Sequence, residues 1–438
     1  MTAWRTLGIC AGWLAFVSLT QAQTYTLSET PKVGETVHYT IDTTVEGVLK
    51  IPQEGKILPI KISVIAKHEF DQRTLMIKND AVVKAARYYQ HATNNISIGT
   101  ERIEHRLRDN RQLMIAQQPV DSLLCYSPGG VLTRDEEELV AQHLDSMRLT
   151  GILPSEPMPL DKKWKLPNSN VQALCFFDGL ISHDVQAYIK EVKEGAAIIQ
   201  LEGKADGIEL GAKVSANITA TVTYELLPKR ITAISWTRKD DRNAGPVNPA
   251  SEMTSQVTMK RTVVEEVKEL MDHALVSVPK EFEVPAALNN LILKDHKPTF
   301  QMLHSRDWHV VSMTDTHTVL RLLDRGDFIA QATIATWRQA EPGKHLAPEQ
   351  FKEVVTRQAG WELEEVVDES EIPTDNGRWL YRITARGSIN DMKVTQTFYC
   401  LANEDGRQLM VTFIMKPTHS TKIGTRDIAL VNAIDFVK

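Results

Sequence analysis

Hydrophobic and polar residues alternate with period two over most of this chain, the pattern of strands buried on one face. Val37, Tyr39 and Ile41 alternate with His38, Thr40 and Asp42, and Leu58, Ile60, Ile62 and Val64 alternate with Lys61 and Ser63. The longest run is Val214 to Leu226. It puts Val214, Ala216, Ile218, Ala220, Val222 and Tyr224 on one side and Ser, Asn, Thr and Glu on the other. One polar face per strand predicts antiparallel sheet. Further extended segments are expected at 81–89, 96–108, 185–190 and 256–267. Glu194-Gly195 reads as a hairpin turn and residues 240–249 as an exposed loop.

Residues 133–148 depart from this pattern and predict a helical insertion. Thr133 and Glu136 form a capping box, acidic residues crowd the first turn where the helix dipole favours them, and Leu139, Val140, His143, Leu144 and Met147 share a face. Pro154, Pro157 and Pro159 then forbid helix. The chain is expected to return extended to Trp164.

The second half predicts a strand at 308–313, a hairpin of 319–323 and 328–334 across Asp324-Arg325-Gly326, and a helix with Pro348 in its first turn, Phe351, Val354 and Val355 on one face and Gly360 at its end. Strands are expected at 361–367, 379–387, 393–402 and 407–415. A short helix at 427–433 and a strand at 434–437 are expected to close the sheet. Prolines 279, 285 and 298 mark a boundary. At 438 residues two domains are the default: a sheet domain over 23–270, a linker at 271–288 and a second domain over 289–438.

Taken together, these elements predict an α+β protein. The first domain would be a large curved antiparallel sheet, a half-barrel with a helical insertion. It weakly resembles the LolA-like lipoprotein carriers and LppX-like lipid-binding proteins, in its long meandering strands and its helix-bearing insertion. That resemblance implies a cavity under the 133–148 helix. The C-terminal order, with its Trp308 strand, Phe351 helix, Trp379-Leu380-Tyr381-Arg382 strand and closing 427–436 helix and strand, resembles the PsbP-like sandwich of photosystem extrinsic proteins and DcrB-type proteins. This implies accessory or partner-binding roles and carries no catalytic residues over. Val319-Leu320-Arg321-Leu322-Leu323 and Ile329-Ala330-Gln331 also resemble secreted planctomycete-type proteins of unknown function.

Composition changes the picture in two places. Lys and Arg number 50 against 56 Asp and Glu, so no basic excess exists to neutralise phosphates and no nucleic-acid partner is expected. Residues 1–22 read as a secretory signal: Arg5, an apolar run from Leu7 to Leu19, then Thr20 and Ala22 before the cut. The expectation is an exported protein, periplasmic or secreted, with no stable membrane span after cleavage. Beyond the signal, Cys125, Cys175 and Cys400 remain. A Cys125–Cys175 disulfide and three buried thiols are both open readings.

Chemistry is sparse. There is no nucleophile elbow, P-loop, H-E-x-x-H or CxxC pattern. His304, Asp307, His309, Asp315 and His317 lie close in sequence, but their spacing fits no recurrent metal motif. His143 reads as a core histidine. Trp164, Trp236, Trp308, Trp337, Trp361 and Trp379, with Tyr224, read as core, and Glu362, Glu364, Glu365, Asp368, Glu369 and Glu371 as a solvated edge. No catalytic, cofactor-binding or metal residue is assigned, and no cofactor. The expected function is a non-enzymatic exported binding or accessory protein acting through protein or ligand contacts. The alternatives are a lipid or lipoprotein carrier with a cavity under the 133–148 helix and an enzyme of unrecognised type.

Overall fold

The computed structural model describes residues 23–53, 55–118, 123–141, 144–297, 299–374 and 377–437. The expected signal segment, residues 1–22, and His143 lie outside them. No helix among the described residues is long and apolar enough to cross a membrane.

Antiparallel sheet dominates. Strands make up 56% of the chain and helices 13%, in several sheets of which none is closed among the described residues, and this overturns the α+β expectation. The reason is local. Strands run to lengths of 18 and 23 residues, while the expected helices are cut short. The 133–148 helix is only Arg134–Val140. Its Thr133–Glu136 capping box forms as expected, but Ala141 is already extended. The Asp145 carboxylate then accepts the Met147 N–H and starts a separate 3-10 turn, Ser146–Ile152. A side chain that captures a nearby backbone N–H competes with the helix ladder.

The N-terminal sheet is built on the long strands Thr36–Gln53, Lys56–Lys78 and Ala81–Ile98, with Ala250–Val264 on the other side of the first. Strands Arg230–Arg242, Ala212–Glu225 and Ala196–Glu209 continue outward from there. The period-two reading holds here. Val214, Ala216, Ile218, Ala220, Val222 and Tyr224 are all buried, as are Val37, Tyr39, Ile41 and Trp236. They share one core with Leu139, Val140, Leu144, Met147, Leu149 and Ile152 from the insertion. Burial of such side chains contributes about 1.5–3 kcal/mol each.

The far end of this sheet breaks the rule. Leu49 pairs with Ile60, Ile51 with Leu58, Ile62 with Ile98, Val64 with Ile96, and Ile96 with Ile103 on the edge strand Glu101–Arg106. Directly paired residues point to the same side. The side is that of Tyr39 and Ile41, two residues of the core. Yet none of these aliphatic side chains packs against a core cluster among the described residues. Leu58 is 45% exposed and Ile103 39%.

Residues 267–288 lie against the opposite face. Leu270 is buried with Ala86, Ile115 and Tyr126, and Val267, Leu275, Val278, Val284 and Leu288 pack around them. The ammonium of Lys84, almost fully buried, donates to Pro279 O at 2.6 Å and Glu281 O at 2.7 Å.

The C-terminal sheet has seven strands, and its elements follow the expected order closely: Trp308–Met313, His317–Asp324, Asp327–Thr336, Glu362–Glu371, Trp379–Ile389, Met392–Ala402 and Gln408–Met415. Helix Pro348–Thr356 covers one face through Phe351 and Val355. The closing strand does not join this sheet. Ile434–Phe436 pairs with Phe300–His304, which pairs with Leu291–Lys294, which runs parallel to Leu132–Thr133 just before the insertion helix. This four-stranded sheet ties the two halves of the chain together.

Candidate functional site

The parallel pairing of Leu132–Thr133 with Leu291–Ile292 sets the helix Arg134–Val140 beside the turn that leads into strand Trp308–Met313. Arginines fix the contact. Arg134 donates to Glu137 at 3.0 Å and to the carbonyls of Arg306 (3.2 Å) and Trp308 (2.8 Å). Arg306 donates to the same Glu137 at 2.8 Å and to Cys125 O (2.7 Å) and Asn289 O (3.1 Å). One carboxylate thus bridges two guanidiniums across the halves, with the charge-assisted bonds that are stronger than neutral ones.

A second contact joins two hairpin turns. Leu210 and Gly211 in one, and Arg325 and Gly326 in the other, all have positive φ, from 48° to 84°. A Cβ on Gly211 would overlap Gly326 O and come within 2.9 Å of Pro246 Cγ. Arg321 donates to Pro246 O alongside. Only glycine permits so close an approach at this backbone angle.

Between the two contacts lies a cleft of about 690 Å³, whose walls carry Arg134, Glu137 and Glu138, then Gln172, Phe177 and Asp178, and opposite them Asp307, His309 and Arg325. Asp178 accepts the Leu210 N–H at 2.6 Å. The side chains of Glu138, Asp307, His309 and Arg325 have no hydrogen-bond or ion-pair partner among the described residues.

Burial shifts these groups. It pushes the Glu138 carboxyl up to about 7, with Arg134 opposing and Glu137 and Asp135 adding to the rise. Glu138 nevertheless stays open to the cleft, and solvent there tempers the rise. Burial lowers His309 to about 4, helped by Arg134. It also raises Asp307 and Asp178.

The histidine group picked out in the sequence is divided. Asp307 and His309 reach the cleft. His304 is buried behind it, 3% exposed, with Nδ1 2.9 Å from Ser305 O. Asp315 lies elsewhere on the surface, 3.0 Å from both His296 and Lys297, and His317 contacts Thr314 and Thr316 in a turn. Among the described residues no three His, Cys, Asp or Glu side chains converge as a metal site. Glu364, Glu365, Asp368 and Glu369 pair with Lys393, Arg386, Arg382 and Lys352 along an exposed edge strand. All three thiols are free and buried, so Cys125 and Cys175 are not joined. Trp236 and Tyr224 are core, and Trp164 donates to Ile152 O at 3.0 Å.

Sequence reasoning missed Arg134 and Arg306 altogether, read Arg325 only as a hairpin-turn residue and Glu138 only as a dipole charge. No spacing rule joins residues 134–138 to 306–309, because the contact depends on a two-residue parallel pairing.

No protein-family profile matches the chain, and no curated protein matches it. The LolA-like, LppX-like and planctomycete resemblances find no support there. Among solved structures the chain is weakly similar to the cyanobacterial PsbP (CyanoP) of Synechocystis sp. PCC 6803: 12% identity, 34% of this chain, 93% of that one, TM-score 0.26. It is as weakly similar to the Ran-binding protein Mog1p of Saccharomyces cerevisiae, with 9% identity over 34% of this chain and 96% of that one, TM-score 0.27. The translocator domain of the autotransporter NalP from Neisseria meningitidis aligns over 88% of both chains at 6% identity and TM-score 0.13.

Proposed function

We propose that this chain is an exported, non-enzymatic binding or accessory protein, and that it recognises a small polar ligand or a partner's polar side chains in the cleft between its two halves. The observation that carries this reading is the set of four side chains, Glu138, Asp307, His309 and Arg325, that line the cleft without partners among the described residues. Glu138, Asp307 and Arg325 are exposed to the cleft and His309 is half-buried, so mixed charge converges in a concave site where each group is free to contact a ligand. The carrier alternative has less support. Under the insertion helix the space is occupied by Leu139, Val140, Leu144, Met147, Leu149 and Ile152.

The test is native mass spectrometry of the chain purified from its own exported compartment, beside the variants Arg325→Ala and Glu138→Gln. A bound species on the wild type that both variants lose supports the reading. A bare wild-type mass, or a bound species that both variants retain, refutes it. A wild-type chain that keeps residues 1–22 and stays in the cytoplasm refutes export.

A second reading, an enzyme of unrecognised type, has one observation in its favour. A carboxyl pushed up to about 7 can both give and accept a proton near neutral pH. It would be supported by turnover of the bound species with a pH profile that Glu138→Gln abolishes.

A further inference from the structure

Bonds within the chain use up much of the charge around the cleft. The Glu137 carboxylate is held by Arg134 and Arg306. The same two guanidiniums also donate to the carbonyls of Arg306, Trp308, Asn289 and Cys125. Both cations are thereby committed to joining the halves. The charge left free is sorted by wall. The helix side offers Glu138, one helical turn from Arg134. The opposite side offers Asp307 and Arg325. These two are brought close in the fold, because the Leu323 N–H bonds to Asp307 O two residues before Arg325. Asp178 adds a third carboxylate, one of whose oxygens already accepts the Leu210 N–H. His309 is uncharged at neutral pH, since burial lowers it to about 4. Leu123, Phe177 and Leu323 give the same cleft an apolar lining.

We infer, building on the cleft as a ligand site, that its ligand is a free amino acid or short peptide bound as a zwitterion. Its ammonium faces Glu138 and Asp307, its carboxylate faces Arg325, and an aliphatic side chain lies on the apolar lining.

Charge complementarity decides among the ligand classes. A charged group that gives up its water needs an opposite charge in return. A neutral sugar would leave Glu138, Asp307 and Arg325 each without one. A phosphate compound would find one uncommitted guanidinium among three carboxylates, and that repulsion selects against it. A polyamine would satisfy the carboxylates but set a cation against Arg325. A lone metal ion has too few ligands, because no three His, Cys, Asp or Glu side chains converge among the described residues. A ligand with charge of both signs meets every free group. Arg325 can take a carboxylate through two parallel N–H···O bonds. A cleft of about 690 Å³ also has the size that encloses small molecules.

Isothermal titration calorimetry with leucine, alanyl-leucine and alanyl-leucyl-alanine tests the inference. At least one of the three is expected to bind the wild-type chain with a dissociation constant between about 1 and 100 µM. Two double-mutant cycles on that probe then locate its ends. Amidating its carboxylate should weaken binding at least about ten-fold to the wild type and less than about two-fold to Arg325→Ala. Acetylating its ammonium should weaken binding at least about ten-fold to the wild type and less than about two-fold to the double variant Glu138→Gln/Asp307→Asn. Circular dichroism confirms that each variant folds, and the wild-type chain alone already decides the outcome. A wild type that binds none of the three probes more tightly than about 1 mM overturns the inference. So does equal binding of the free and the doubly blocked probe, which would assign the cleft to side chains of a longer partner. If native mass spectrometry then still shows a bound species that both cleft variants lose, the cleft remains a ligand site and only its zwitterionic specificity falls.

Discussion

Acid is expected to destabilise this protein in part through one side chain, His304. Its ring is 3% exposed. Nδ1 faces the Ser305 carbonyl at 2.9 Å and so carries the proton in the neutral ring. Nε2 is buried without a hydrogen-bond partner, so protonating it creates a charged N–H with no acceptor. Burial is the main force that lowers this histidine from 6.5 to about 4; the Ser305 carbonyl and Glu137 oppose it, and Arg134 and Arg306 add to it. Between those two values the folded chain binds fewer protons than the unfolded chain. The stability from this group is therefore complete above pH 6.5 and is lost as the pH falls to about 4. Each tenfold change in proton affinity between the folded and unfolded chains is worth about 1.4 kcal/mol, so the loss is on the order of 3 kcal/mol. His304→Asn keeps an N–H donor near Ser305 O and removes the titration. Urea unfolding of both proteins at pH 7 and near pH 4.5 measures the difference, because every other titrating group, His309 included, is common to the two. Over that window the wild type is expected to lose roughly 2 kcal/mol more than the variant. Equal losses, to within about 0.5 kcal/mol, would refute the account of His304 as a neutral buried ring.

Three further outcomes are expected. Gly211→Ala should cost at least about 2 kcal/mol, against about 1 kcal/mol for Gly195→Ala, because Gly195 has a similar φ of 82° with nothing near its Cβ position and Gly211 has Gly326 O; equal melting shifts would show that the two turns are not held together. Lys84→Ala removes both bonds to the 279–281 carbonyls, and tryptic cleavage after Lys280 should then quicken by roughly ten-fold; an unchanged rate would mean that the apolar contacts alone hold that segment. Burial pushes Cys175 and Cys400 up to about 12 and raises Cys125, so these three should stay unreacted with a thiol reagent at pH 8 in the native chain and react on unfolding; rapid labelling of any of them in the folded chain would contradict their burial.

The strands are legible because alternation is a local signal. Val214 to Tyr224 and the Asp324-Arg325-Gly326 hairpin can be read within a dozen residues. The helix is overestimated because its periodicity continues through Leu144 and Met147 while Asp145 diverts the backbone by capping the next turn. A hydrophobic pattern reports which side chains are buried, and these are; it does not report whether a helix carries them. The alternation at Leu58, Ile60, Ile62 and Val64 does mark a strand, but it cannot say that nothing in the described chain covers that face. The cleft is invisible in the sequence. Arg134, Glu137 and Arg306 meet through a pairing of Leu132–Thr133 with Leu291–Ile292, about 160 positions apart, which leaves no trace in either segment alone.

The order of strands in the N-terminal sheet has a consequence for how the protein is made. Strand Thr36–Gln53 forms its hairpin with Lys56–Lys78 as soon as both exist, but its other neighbour is Ala250–Val264, with Ala250 opposite Lys50, about 200 positions later. A chain synthesised or translocated from its N-terminus must hold that strand's free edge open until more than half its length has appeared. Closing so long a loop is slow, and an unpaired edge next to uncovered aliphatics is where chains associate wrongly. The early hairpin therefore stays without its second neighbour until residue 264 has been made, and that interval is where misassociation is most open to it.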